Sequence, residues 1–187
     1  MGSERETLTT PDLTPSTVTL DAILEQHRPA LGSDFPGYRH HTCRVLSLCR
    51  HFNPALDVEK IAVAAAFHDL GIWTHHTFDY LTPSAELAAS YLQQVGRGSW
   101  TPEITRAILD HHKLSASRAD DGSLAEPFRR ADWIDVTRGV VSFGLPRRVL
   151  RQLYERWPSA GFHWRLVQLS ARRLREHPLS PLPMLRL

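Results

Sequence analysis

Apolar residues along this chain recur at helical spacing. Leu20, Ile23, Leu24 and Leu31 predict a first helix over Thr19 to Leu31. Gly32 and the Pro36-Gly37 pair predict a loop after it. A second helix is expected to start near Tyr38, with Val45, Leu46, Leu48 and Cys49 as its apolar side and Asn53-Pro54 as its end. Asp57 is placed to cap a third helix, Val58 to Asp69. Ile61 to Phe67 is an unbroken apolar run, and a helix apolar on most sides is a buried one. Gly71 stands where a helix stop belongs.

The second half repeats the pattern. Pro83-Ser84 opens a helix through Leu87, Ala88, Tyr91, Leu92 and Val95, closed by Gly96 and Gly98. Thr101-Pro102-Glu103 reads as cap, first-position proline and first-turn acid, for a helix that runs to His111-His112. Residues 115–123 are polar and loop-like. Pro127 starts a helix through Phe128, Ala131, Ile134 and Asp135, and two more are expected over 146–157 and 162–176. No stretch alternates as a strand would, and no internal repeat is present. The expected fold is all-α, a compact helical bundle centred on the Ala-rich helix. Its expected organisation is a mobile tail over 1–16, one domain over 17–177 and an irregular Pro-rich tail over 178–187.

Composition narrows the function classes. The 187 residues, 42% hydrophobic and 22% charged, are those of an ordinary globular domain with a sizeable core. A formal charge of +2 gives no argument for nucleic acid or membrane as an obligatory partner. No run of eighteen apolar residues predicts a membrane span. The first residues are polar, and Glu6 breaks a myristoylation pattern, so cytoplasmic residence is the expectation. Cys43 and Cys49 lie on one predicted helix, about 600° of rotation apart, which argues against a disulfide.

Six of the eleven histidines stand in adjacent pairs: His40-His41, His75-His76 and His111-His112. Phe67-His68-Asp69 closes the buried helix. An aspartate is almost never fully buried unless paired or bound to a cation, and a helix C-terminus favours positive charge. For a bare His-Asp dipeptide, capping and a salt bridge would be the simpler reading. The rest of the pattern reverses it. Upstream, His41-Thr42-Cys43-Arg44-Val45 precedes His68 by twenty-seven residues, room for an antiparallel helix pair. Downstream, Ala131-Asp132 is followed three residues later by Asp135 on nearly the same face.

Over residues 35 to 140 this ordered set resembles the HD superfamily of metal-dependent phosphohydrolases. The resemblance implies an all-helical fold and His41, His68, Asp69 and Asp132 as metal ligands, with Asp135 orienting a ligand from behind. Two histidines and two carboxylates suit several divalent metals, Mn, Fe, Ni, Co, Zn or Mg. Some family members hold a second metal through two further histidines. Here His111 or His112 is expected to line the site. His75-His76 is expected on the surface or against substrate. With no histidine over 77–110, a dinuclear site would need a ligand from His75 or His76, which argues against the diiron-oxygenase branch. Leu70-Gly71-Ile72-Trp73-Thr74 replaces the Glu-Asp pair of the ppGpp-hydrolase branch and argues against that identity.

The implied chemistry is hydrolysis of a phosphate ester, of a nucleotide or another small phosphorylated metabolite, by metal-activated water. Asp69 would hold the water. Lys113 and Arg44, then Arg129 and Arg138, are the candidates to clamp phosphate, and Asp79 is a polar candidate above the metal. Arg44 could equally pair with Asp69 or Asp135. Three rivals remain: an oxygenase or hydratase on the same scaffold, a non-catalytic metal- or nucleotide-binding module, and a DNA-binding protein. The last has only scattered arginines such as Arg147, Arg148, Arg172 and Arg173. Specificity is expected to reside in the loops around 72–82 and 114–125.

Overall fold

A computed structural model describes residues 14–116, 122–179 and 183–184 of the chain. The expected tail over 1–16 falls outside the described residues as far as residue 13. Ten α-helical segments follow one another: α1 (Thr14–Gln26), α2 (Arg28–Leu31), α3 (Phe35–Phe52), α4 (Val58–Phe67) and α5 (Gly71–Thr74), then α6 (Leu81–Gln94), α7 (Thr101–Asp110), α8 (Ala125–Val136), α9 (Arg147–Arg156) and α10 (Phe162–Glu176). No strand occurs among the described residues. No helix among them is long and apolar enough to cross a membrane.

The Ala-rich helix is the centre, as its pattern required. Ile61 to Phe67 are all buried, and α4 packs against α1, α3, α6 and α7. Its small side chains let those neighbours approach closely, while burial of Ile61 alone stabilises the fold by about 1.5–3 kcal/mol. Asp57 caps it as expected, its carboxylate accepting the Glu59 N–H at 2.9 Å. α3 lies along α8, and α7 bridges α6 and α8.

Several boundaries differ from expectation. α3 starts at Phe35, three residues early, with Pro36 in its first turn. Gly37 is there for proximity: a Cβ at this position would stand 2.8 Å from the Ala160 carbonyl and 3.1 Å from the Phe162 nitrogen. Gly71 is not a helix stop. The chain turns through His68 to Leu70 and enters α5, and a Cβ on Gly71 would stand 2.7 Å from the Tyr80 carbonyl oxygen. α6 begins at Leu81 rather than Pro83, and α8 at Ala125 rather than Pro127. Thr101 is the first residue of α7 and gives it no side-chain cap. In the C-terminal segment Met184 is buried, at 5% exposure.

Candidate metal centre

Four helices converge on one buried cluster. α3 presents His41 from mid-helix. The turn after α4 presents His68 and Asp69, the turn after α7 presents His111 and His112, and α8 presents Asp132. All but His112 are buried, and His112 is half-buried.

Hydrogen bonds at the outer edges of the rings fix what faces inward. His41 Nδ1–H donates to Asp135 Oδ2 at 2.6 Å, and His68 Nδ1–H donates to the Ala65 carbonyl at 2.8 Å. In the neutral rings both Nε2 atoms therefore carry lone pairs, yet they stand 2.9 Å apart. Two lone pairs at that distance repel unless a positive charge sits with them. His111 Nδ1–H is likewise committed to the Ile108 carbonyl, leaving its Nε2 lone pair 3.4 Å from Asp69 Oδ1.

The carboxylates decide between a proton and a larger cation. Asp69 Oδ2 lies 3.3 Å from His68 Nε2 and 3.7 Å from His41 Nε2. Asp132 Oδ1 lies 3.5 Å from His41 Nε2 and 3.6 Å from His68 Nε2. These are too long for good hydrogen bonds. All but the 3.7 Å separation fall within the edges, roughly 2.8–3.6 Å, of a tetrahedral or octahedral shell whose ligand bonds are about 2.0–2.2 Å. Asp69 Oδ1, His111 Nε2 and both Asp132 oxygens are buried without any hydrogen-bond partner. Buried polar atoms are nearly always paired, so four such atoms in one cluster mark it as able to take a cation.

Electrostatics agree. Burial would drive His68 toward neutrality, but the Asp69 and Asp132 carboxylates outweigh it and push its pKa up to about 10. The position favours positive charge. Burial alone would raise Asp69, but the His68 and His111 imidazoles hold it well below the usual carboxylate range. His112 is pushed down to about 3 by burial and by His111, so its ring stays neutral. With His112 Nε2–H donating to Tyr80 Oη at 2.7 Å, the Nδ1 lone pair faces Asp132 Oδ2 at 3.6 Å.

Three overlapping donor sets result: His41, His68 and Asp132; His68, Asp69 and His111; His111, His112 and Asp132. The family model that matches this chain is the HD domain, over residues 38–137, more than half of the chain. The chain belongs to the HD-domain family. Comparison with curated proteins and with solved structures gave no match. HD domains bind divalent metals and are mostly metal-dependent phosphohydrolases, and the buried His and Asp groups here can hold such an ion.

The HD-domain ligand set His41, His68, Asp69 and Asp132 is brought together. The other candidates divide. His111 and His112 both join the cluster, because one uses Nε2 and its neighbour Nδ1, with ring centroids 4.0 Å apart. His75 and His76 do not, which corrects the expectation that a second metal would need one of them. Both are exposed, His75 against Thr74 Oγ1, and His76 at φ 50° on a groove shared with Arg165 and Arg172.

Arg44 is no phosphate clamp. It is fully buried behind His41, where Nε and Nη2 donate to the two Asp135 oxygens at 2.6 and 2.9 Å and Nη1 donates to the Trp157 carbonyl. Its partner is Asp135, one of the two alternatives the spacing left open. Lys113 pairs with Asp110 at 3.1 Å, and Arg129 is held by Glu126. Arg138 is exposed and faces the Tyr154 ring, and Asp79 is exposed.

Two aromatic supports were missed. Tyr38 Oη donates to the Ala66 carbonyl and accepts the Asp69 N–H at 3.3 Å, so it braces the His-Asp turn. It lies one helical step of three before His41, a spacing that could have flagged it. Phe162 stacks on His41 with centroids 4.1 Å apart, and nothing in its sequence context signals that.

Proposed function

We propose that this chain is a metal-dependent hydrolase acting on a phosphate ester of a small organic molecule. The observation that carries the reading is the buried cluster whose unpaired oxygens and nitrogens stand at coordination-shell spacing. A divalent ion there would supply Lewis acidity and lower the pKa of a bound water, to about 7 in the case of zinc. His41, His68, Asp69 and Asp132 would hold it, and His111 and His112 would complete a second position with the far oxygens of the two aspartates. Were only the first position filled, Asp69 Oδ1, which has no hydrogen-bond partner, could accept a proton from a water held beside it. The Tyr80 hydroxyl, which accepts from His112, borders an adjoining cavity, where its O–H could donate a hydrogen bond to a leaving-group oxygen.

A second reading, a hydratase or oxygenase on a small molecule, draws support from one observation. Among the described residues, no lysine or arginine lines the cavity beside Asp69 and His112. Elemental analysis of purified protein, paired with a phosphatase and nucleotidase screen across added metals, separates the two. Substitution of His68 or Asp69 by Ala should remove metal and turnover together. Full phosphoesterase activity in metal-free protein sinks the first reading; iron with substrate-dependent oxygen uptake favours the second.

A further inference from the structure

The cavity that opens on the metal cluster has a wall unlike that of a nucleotide site. Its volume is about 250 Å³. Asp69 and His112 form its polar end, so it is continuous with the donor cluster. Ile72, Phe78, Trp133, Val136, Leu166 and Met184 supply most of the remainder, and Ser170 adds one hydroxyl. The Tyr80 hydroxyl on the same wall is already bonded to His112. A ribose with its vicinal hydroxyls, or a base with its edge donors and acceptors, would lose water here and find almost nothing to bond. Such unpaired polar groups are costly. An apolar group would gain, and a cavity of about 150 Å³ already suffices for benzene.

We propose that the part of the substrate held away from the metal is a compact, uncharged aromatic or branched alkyl group, and that nucleosides are not accepted there. This assignment rests on the hydrolase reading only for the group placed at the metal. The wall chooses the rest. Trp133 belongs to this wall, and its Nε1–H, buried without an acceptor, adds no accessible donor to it. The loop between α5 and α6 contributes Phe78 and Tyr80, and the C-terminal segment contributes Met184, so residues far apart in the chain shape one lining.

The test compares phenylphosphonate, methylphosphonate and adenosine monophosphate for binding to Mn²⁺-loaded full-length protein by calorimetry. Phenylphosphonate should bind at least about 30-fold more tightly than methylphosphonate, a conservative return on five additional buried carbons. It should also bind more tightly than adenosine monophosphate. The Trp133 indole N–H resonance of the wild type should shift with phenylphosphonate and not with methylphosphonate. Val136→Trp and Ser170→Trp, each filling the cavity from a different helix, should erase the 30-fold margin while metal content stays at the wild-type level. Equal affinity for the two phosphonates, tighter binding of the nucleotide, or a margin that survives both substitutions overturns the assignment. Turnover is scored apart. A protein that prefers phenylphosphonate yet cleaves no phosphate ester with any metal refutes the phosphohydrolase reading and keeps this one.

Discussion

Asp135→Asn is the most informative single change. The Asp135 carboxylate accepts from His41 Nδ1 at 2.6 Å, Arg44 Nε at 2.6 Å, Arg44 Nη2 at 2.9 Å and Tyr154 Oη at 2.9 Å. Both Asp135 and Arg44 are fully buried. The amide keeps the size of the side chain and removes its charge, leaving a guanidinium in the core without a counter-ion. Removing one partner of a buried pair costs about 3–5 kcal/mol. At about 2–4 °C per kcal/mol for a chain of this length, the melting temperature should fall by about 6–20 °C. The same change loosens the bond that fixes the His41 tautomer, and loss of such a bond weakens metal affinity about 10–100-fold. Circular dichroism melts with chelator present isolate the stability term, and a metal titration at low temperature isolates the affinity term. An amide variant that melts within about 2 °C of the wild type and binds metal equally would show that the buried pair holds neither the fold nor the ligand.

Acid should act through the same carboxyl. Burial would raise Asp135, but its bonds to His41 and Arg44 hold it well below the usual range, so its contribution is complete above the unfolded-state value of about 4 and is lost as pH falls further. Wild-type stability should therefore drop steeply below about pH 4, and the Asn variant should show a shallower slope there; parallel slopes contradict the linkage. Gly71→Ala should cost about 1–3 kcal/mol by overpacking, because its Cβ would meet the Tyr80 carbonyl at 2.7 Å, and should also weaken metal uptake by shifting the His-Asp turn; a melt unchanged from wild type refutes the close approach. Burial pushes the Cys43 thiol up to about 11 and Cys49 well above its ordinary value, so about one Cys43 in a thousand is thiolate at pH 8. Neither should react with a disulfide reagent before the protein unfolds, and prompt labelling of native protein would mean that α3 opens.

The central helix and its His-Asp end were readable because both rest on local chemistry. A carboxylate closing an apolar helix has to be compensated, and Asp57 and the Ile61–Phe67 run mark where that helix lies. Asp132 was separable from Asp135 by resemblance alone; three-residue spacing places both on one face, and only packing shows that Asp132 looks inward while Asp135 backs His41. The histidine pairs were ambiguous for a related reason. His75-His76 follows the ligands closely in sequence, but α5 carries the chain outward before it turns back at Tyr80. His111-His112 is remote in sequence and adjacent in space, since α7 packs on α4. Arg44 shares a helix face with His41, and whether such a cation meets substrate or a buried acid depends on what covers that face. Here α9, α10 and the Trp157–Pro158 carbonyls cover it.

That cover has a consequence for what counts as the working unit. The segment matched by the HD family ends at residue 137. Beyond it, Tyr154 of α9 bonds the Asp135 carboxylate, His163 of α10 bonds the Asp135 carbonyl at 2.8 Å, and Phe162 lies flat on His41. A chain trimmed to the family segment would retain every ligand-bearing residue and lose the keel that keeps one of them from rolling. The last two helices and the metal position therefore share a single free-energy balance. Ion loading should tighten helices that contribute no ligand, and a substitution at Tyr154, Phe162 or His163 should register at the metal without touching it.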